Sequence, residues 1–222
     1  MKIHYLGHSA FEFETLGKKI LIDPFLAALP EYNPQNIHNI FVTHGHGDHL
    51  GSAIEISKHF SAPITAIFEL ANYCAKKGAK TIDAGLGAWQ NYDWGRAILV
   101  PAFHSSSTPD GSYAGCPCGI VMEIEGKIIY HAGVTCLNTE MKMIGEMYSP
   151  DISLLPVGGK YTMDIEHAAK AAEWLNTKVV IPMHYNTFDA IRVDIKDFER
   201  QIRDIGKTPV IMKVGETIEN IL

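Results

Sequence analysis

Residues 43–50 have the sequence Thr43-His44-Gly45-His46-Gly47-Asp48-His49-Leu50, and they indicate both the fold class and the chemistry of this chain. Within this stretch, residues 44–49 hold three histidines and one aspartate, separated by two glycines. The apolar, β-branched run at 39–43 that precedes it predicts a buried strand. The segment 50–60 that follows predicts a helix. The histidine cluster therefore lies on the turn that leaves a strand, where α/β proteins tend to place their sites.

The side chains of this cluster are suitable ligands for a divalent transition metal, of which zinc fits best. Residues two apart at a strand end project to the same side, so His44 and His46 can bind one ion together. Gly45 and Gly47 are expected to let the backbone reverse, which would bring Asp48 and His49 into the same pocket. Four ligands exceed what one tetrahedral site usually takes from one segment. This surplus predicts two ions that share the loop and take further ligands from elsewhere.

Two other histidines follow apolar strands and precede polar loops. His104 comes after the run at 99–103, and His184 comes after the run at 180–183. Beside the cluster, this matching placement predicts that both are metal ligands. His131 also ends a predicted strand, but we interpret it as a packed residue rather than a further ligand.

The composition indicates one compact α/β domain over residues 1–222, because 46% of the residues are hydrophobic and no low-complexity linker occurs. A formal net charge of −6 gives no basic field for nucleic acid and favours a small-molecule substrate. No signal peptide and no apolar run of membrane-spanning length is present, so no membrane association is expected. The four cysteines are interpreted as free structural thiols of a cytoplasmic protein. A homo-oligomer is possible.

Taken together, these motifs resemble the metallo-β-lactamase superfamily. The stretch at 43–49 is similar to its His-x-His-x-Asp-His signature, and the segments 6–11, 21–25, 101–104 and 182–185 resemble its branch of small cytoplasmic metal-dependent hydrolases, which includes ascorbate-6-phosphate lactonase-like proteins. The resemblance covers nearly the whole chain and implies an αββα four-layer sandwich. It assigns one metal to His44, His46 and His104, and a second metal to Asp48, His49 and His184.

One position departs from the pattern of this family. The family has an aspartate in a Gly-Asp-Thr step that bridges the two metals, whereas this chain has Gly133-Val134-Thr135. Valine has no lone pair, so Val134 cannot be a ligand. The resemblance therefore implies a complete three-histidine site and a second site that is weakened or empty.

Further residues are predicted to act around the metals. Asp23 is expected to accept an N–H from a ligand histidine, although an Asp-Pro step also suits a simple turn. The resemblance makes His8 a substrate contact, and Lys160 and Tyr185 are predicted to contact the substrate as well. Asp48 and His49 are the predicted catalytic residues, with Asp48 orienting the attacking water and returning a proton to the leaving group.

The expected function is metal-dependent hydrolysis of a small, anionic ester, lactone or phosphodiester, impaired by Val134. One or two zinc ions are expected, although manganese, iron, nickel or cobalt would also suit imidazole and carboxylate ligands. The alternatives are a nuclease-like phosphodiesterase of the same fold and a non-catalytic metal- or ligand-binding protein with a decayed site.

Overall fold

The computed structural model describes residues 1–219 and 221 and contains two seven-stranded sheets packed face to face. The strands are β1 Lys2–Gly7, β2 Ala10–Thr15, β3 Lys18–Ile22, β4 Ile37–Phe41, β5 Ile64–Ile67, β6 Thr81–Ala84, β7 Gln90–Tyr92, β8 Gly95–Pro101, β9 Cys118–Ile124, β10 Lys127–His131, β11 Ile152–Pro156, β12 Val179–Met183, β13 Thr208–Pro209 and β14 Thr217–Glu219. The helices are α1 Gly47–Leu50, α2 Ala53–Phe60, α3 Phe68–Lys76, α4 Glu140–Tyr148, α5 Ile165–Trp174 and α6 Ile195–Asp204. Two 3₁₀ turns lie at Leu26–Ala28 and Asp189–Ile191.

The first sheet has the order β14-β1-β2-β3-β4-β5-β6, and the second has the order β13-β12-β11-β10-β9-β8-β7. Helices α2 and α3 pack against β4, β5 and β6, while α5 and α6 contact β11 and β13 and α4 packs on α5. The layers are therefore helices, sheet, sheet and helices. This arrangement confirms the predicted αββα sandwich.

Strand β3 shows how the sequence builds this layering. Ile20 and Ile22 enter the apolar cluster between the two sheets, whereas Leu21 enters the cluster beneath α2 and α3. Because alternate side chains of a strand point to opposite faces, a strand that is covered on both faces is apolar at successive positions. The run Ile20-Leu21-Ile22 is fully buried for this reason.

The last strands do not lie where the local sequence places them. The apolar run at 210–214 predicts a last strand, and this prediction is wrong: the chain forms the two-residue strand β13 just before this segment and then β14 at Thr217–Glu219. Strand β14 pairs antiparallel with β1, so the end of the chain returns to the first sheet. Such a return depends on a partner strand two hundred residues away, which a local apolar run does not reveal.

Gly145 lets α4 approach the end of α5. A Cβ built on Gly145 would lie 2.2 Å from the carbonyl oxygen of Trp174 and 2.9 Å from Cα of Leu175.

For Gly145→Ala we expect a net loss of stability, because a clash against backbone typically costs about 1–3 kcal/mol and the better helix propensity of alanine returns only about 1 kcal/mol. Urea unfolding measures this as a lower midpoint. Gly85→Ala is the matched control, since its Cβ would meet no atom within 4 Å; equal midpoints for the two variants would contradict the prediction.

In the described part of the chain, no helix is both long enough and apolar enough to cross a membrane. All four cysteines are free, with Cys74 and Cys118 buried and Cys116 and Cys136 exposed. The prediction that the thiols are free is confirmed, whereas a structural role in the core fits only Cys74 and Cys118.

Candidate metal centre

The candidate site lies at the edge where the two sheets meet. His44 follows β4, His104 follows β8 and His184 follows β12, so three strand ends deliver histidines to one place. Backbone hydrogen bonds join the sheets at this edge: the N–H of His184 donates to the carbonyl oxygen of His8 at 2.7 Å, and the N–H of Cys118 donates to that of Thr43 at 3.0 Å.

Potential metal ligands form two adjoining groups. The first group is His44, His46 and His104, and the second is His8, Asp48, His49 and His184. Within each group the potential ligand atoms all lie within 4.8 Å of one another. The groups touch, because the ring centroids of His44 and His49 are 4.1 Å apart. Every side chain predicted as a metal ligand is thus brought to this site.

The glycines of the cluster act differently from the prediction. Neither Gly45 nor Gly47 has a positive φ, so neither is required for a backbone reversal. Gly45 instead permits close packing, since a Cβ there would lie 2.4 Å from Cβ of Ala114. Gly47 is the first residue of α1, so Asp48 and His49 lie on a helical turn that begins directly after His46.

Asp23 holds two of the candidate ligand histidines in place, His49 directly and His44 through Thr43. Its carboxylate is fully buried and accepts hydrogen bonds from Nδ1 of His49 at 2.7 Å and from the N–H and hydroxyl of Thr43 at 2.8 and 2.7 Å. Since the Thr43 hydroxyl donates to Asp23, it accepts from Nδ1 of His44 at 3.1 Å. Both histidines are therefore held with Nδ1 protonated and Nε2 free for a metal, which is the arrangement common among metal-bound histidines.

Three residues of the site have left-handed backbone conformations: His8 at φ 55°, Asp23 at φ 45° and His184 at φ 56°. Such conformations are uncommon for residues other than glycine and concentrate at functional sites. Each of the three follows a strand directly, so the turn redirects its side chain towards the site.

Burial lowers the pKa of four histidines of the site. It lowers the pKa of His44, with the neighbouring His49 and His46 adding to the effect, and it lowers the pKa of His104 to about 4. Burial also lowers the pKa of His46 and of His184. Neutral imidazoles are the form that binds metals.

Asp48 differs from these histidines, because a lowered pKa leaves a carboxyl group charged rather than neutral. Burial alone would raise its pKa, but a hydrogen bond from His8 and the charges of His49 and His8 outweigh burial and lower the pKa below the usual range. The carboxylate is therefore ionised at neutral pH. It is the anionic member of the second donor group.

A divalent ion fits these residues. Nε2 of His49 and Nδ1 of His184 are buried without a hydrogen-bond partner among the described residues. Unsatisfied buried nitrogens are rare in proteins and call for an explanation. Their position within a cluster of histidines and one carboxylate supplies it, because a bound cation would satisfy both atoms.

The other predicted site residues are His8, Tyr185 and Lys160. His8, predicted as a substrate contact, lies in the second donor group and also lines a cavity beside the histidine cavity. Tyr185 does not line the histidine cavity; it lies between the left-handed residues His184 and Asn186 and lines a neighbouring cavity of about 670 Å³. Lys160 is exposed, is absent from the wall of the histidine cavity and places its ammonium 5.4 Å from the ring centroid of Tyr161.

His131 is held by backbone on both sides of its ring. Its Nε2 lies 3.0 Å from the carbonyl oxygen of Ser9, and its Nδ1 accepts from the N–H of Gly133 at 3.2 Å. Both ring nitrogens are occupied, which confirms the interpretation of His131 as a packed residue.

The cavity above the donor groups has a volume of about 610 Å³. Its wall away from the histidines combines the apolar or aromatic residues Pro109, Tyr161, Phe188 and Ile191 with the hydroxyl-bearing residues Ser105, Ser107 and Thr108. Among the described residues, no lysine or arginine lines it. Sequence reasoning missed Phe188 and Ile191, since they lie on an irregular segment whose path follows from the turn at His184.

Comparison with known protein families and structures agrees with this fold and site. Residues 2–184 match the family model described as beta-lactamase superfamily domain. The chain is 46% identical to a UPF0173 metal-dependent hydrolase of Staphylothermus marinus, with 97% of each chain covered. It is 44% identical to a UPF0173 metal-dependent hydrolase of Geobacillus thermodenitrificans, covering 99% of this chain and 100% of the relative.

A solved structure is similar over the same length. Igni18, described as a novel metallo hydrolase from the hyperthermophilic archaeon Ignicoccus hospitalis, aligns with a TM-score of 0.89 at 39% identity, covering 98% of this chain and 97% of Igni18. The fold, the donor groups and these likenesses define a hydrolase of the metallo-β-lactamase superfamily. Within it, the chain belongs to the UPF0173 metal-dependent hydrolase family.

Proposed function

We propose that this enzyme hydrolyses a small ester, lactone or phosphodiester at a zinc centre formed by the two donor groups. The observation that carries the proposal is the contact between the groups, which places a three-histidine site beside a site with an ionised carboxylate. Bound zinc lowers the pKa of water towards about 7 and polarises the oxygen of the bond to be cleaved. The protein must then position the substrate and handle the proton.

Asp48 is the residue placed to handle the proton. Its side chain is 31% exposed, so it reaches the cavity, while His8 lies 3.1 Å from its Oδ2. A carboxylate in this position can orient the attacking water and then pass a proton to the leaving group. His49 supports this step because its hydrogen bond to Asp23 holds it in one orientation beside Asp48.

The cavity wall restricts the substrate. Without a lysine or arginine in the described lining, the charge of an anionic substrate is best placed at the bond to be cleaved, next to the metal ions. Tyr161 and Phe188 can pack against an apolar substituent beside that bond. We therefore propose a small substrate with one apolar group and any negative charge at the reacting centre. The four free thiols suit a reducing compartment, and we propose the cytoplasm.

A substrate panel tests this function. The zinc-loaded chain is assayed with p-nitrophenyl acetate, a simple γ-lactone and bis-(p-nitrophenyl) phosphate, with the chelated chain and His104→Gln as controls. We expect zinc-dependent turnover of the ester or the lactone that falls roughly 100-fold or more in His104→Gln, because loss of a metal ligand exceeds the 10–100-fold typical of outer partners.

Other outcomes identify other functions. Turnover of the phosphodiester alone would favour the nuclease-like alternative. No turnover by this chain or by Val134→Asp, despite bound zinc, would show a non-catalytic metal-binding protein.

A further inference from the structure

His8 is a buried histidine whose position is not explained by substrate contact. Its side chain is fully buried, and its ring centroid lies 4.0 Å from that of His184 and 5.4 Å from that of His49. Nε2 of His8 lies 3.1 Å from Oδ2 of Asp48. His8 is thus enclosed by the residues that the family assigns to the second metal.

Thr187 contacts the other nitrogen of the His8 ring. The Thr187 hydroxyl lies 3.1 Å from Nδ1 of His8 and 3.4 Å from the carbonyl oxygen of Tyr185, and it can donate its one proton to either atom. When the hydroxyl donates to Tyr185 and accepts from Nδ1, Nε2 of the neutral ring is free to bind a cation beside the Asp48 carboxylate. Without a cation, Nε2 can carry the proton and donate it to Asp48.

The contact between Nε2 of His8 and Asp48 can hold either a proton or a metal ion, and its length suits both. A tetrahedral zinc ion with bonds of about 2.0–2.2 Å holds its ligand atoms about 3.2–3.6 Å apart. The separations found here bracket this range: 3.1 Å from His8 Nε2 to Asp48 Oδ2 and 3.9 Å from Asp48 Oδ2 to His49 Nε2. Nε2 of His49 and Nδ1 of His184, both buried and unpartnered, complete the surroundings.

We propose that His8 is a ligand of the second metal ion in this chain and, through Nε2, supplies the fourth donor that Val134 cannot. The second site then consists of His8, Asp48, His49 and His184 and is retained without the bridging carboxylate. Thr187 acts on this site indirectly, because its hydroxyl can accept from Nδ1 of His8 while Nε2 binds the ion. The inference rests on the proposed metal centre but not on hydrolysis, so its tests measure metal binding without substrate.

The first test compares zinc binding by the unsubstituted chain and by His8→Gln. Calorimetric titration of the chelated chain, with metal content by mass spectrometry, should give two ions per unsubstituted chain. We expect His8→Gln to bind one ion, or to bind the second at least about tenfold more weakly. His167→Gln is the matched control, since His167 lies on the exposed side of α5 outside both donor groups. Val134→Asp combined with His8→Gln should regain the second ion.

The second test needs no substitution and so does not depend on how a variant folds. In the chain labelled with ¹⁵N, long-range ¹H–¹⁵N correlations report the state of each imidazole nitrogen. On addition of zinc, the His8 Nε2 resonance should move to a metal-bound shift while Nδ1 carries the proton.

The possible failures are distinguishable. If the chain binds no zinc, the proposed metal centre fails and this inference fails with it. If two ions bind while the His8 Nε2 resonance is unchanged, or if His8→Gln binds both ions with unchanged affinity, the role of His8 alone is overturned.

Discussion

Val134→Asp is expected to raise both the zinc affinity and the turnover of this enzyme. Aspartate adds a carboxylate that can bind both ions, and a direct ligand should matter more than the 10–100-fold typical of residues that only support ligands. We therefore expect a gain of roughly 100-fold or more in kcat/KM with zinc present, provided that a substrate from the panel has been found.

The surroundings of Val134 support this expectation. A Cβ on the preceding Gly133 would lie 2.4 Å from the carbonyl oxygen of Cys118 and 3.4 Å from Cβ of Thr43, so the backbone passes directly beside the strand end that delivers His44. The hydroxyl of the following Thr135 accepts from the N–H of Phe103, just before His104. Val134 is 1% exposed, yet it belongs to neither apolar cluster of the core. It is a buried apolar side chain, and the residues on both sides of it contact the segments that carry His44 and His104.

Val134→Asn is the control for this substitution, because its amide resembles aspartate in size but carries no charge. Zinc titration and steady-state kinetics should separate the two variants, with Val134→Asn gaining far less than Val134→Asp. Circular dichroism checks that both are folded. Equal zinc occupancy and equal rates in Val134→Asp and the unsubstituted chain would show that position 134 does not limit the site.

The sequence predicted the outline of the fold and where its histidines gather, for identifiable reasons. The spacing of residues 43–49 and the apolar runs before His104 and His184 are local patterns that strand and turn preferences explain. The single αββα arrangement followed from resemblance rather than from periodicity. The strand at 217–219 was missed because its pairing with β1 is long-range.

At the site, the sequence does not predict the backbone conformations that direct the side chains. Nothing local indicates that His8, Asp23 and His184 have positive φ, since the surrounding tertiary structure imposes that strain. The turn at His8 places its ring beside Asp48, His49 and His184. The turn at His184 likewise separates Tyr185 from the histidine cavity. A motif therefore identifies residue types, while the backbone turns decide which of them meet.

Asp23→Asn is expected to weaken both metal sites, because one carboxylate orients a histidine of each. It accepts directly from His49 and, through the Thr43 hydroxyl, fixes the ring of His44. The asparagine amide would present a donor where His49 or Thr43 already donates, which favours the wrong tautomer of a ligand histidine. We expect a loss of roughly 10–100-fold in zinc affinity at each site.

Thr43→Val tests whether Asp23 acts separately on His44, through the Thr43 hydroxyl, and on His49, which it contacts directly. Valine has the shape of threonine without its hydroxyl, so it should release His44 while leaving the hydrogen bond between His49 and Asp23 intact. Zinc titration should show a weakened three-histidine site and an unchanged second site in Thr43→Val, whereas both sites weaken in Asp23→Asn. Thermal unfolding in the presence of a chelator shows how much of each effect is a loss of folding stability. Identical zinc isotherms for the two variants would mean that Asp23 acts on the site as a whole rather than through two separate histidines.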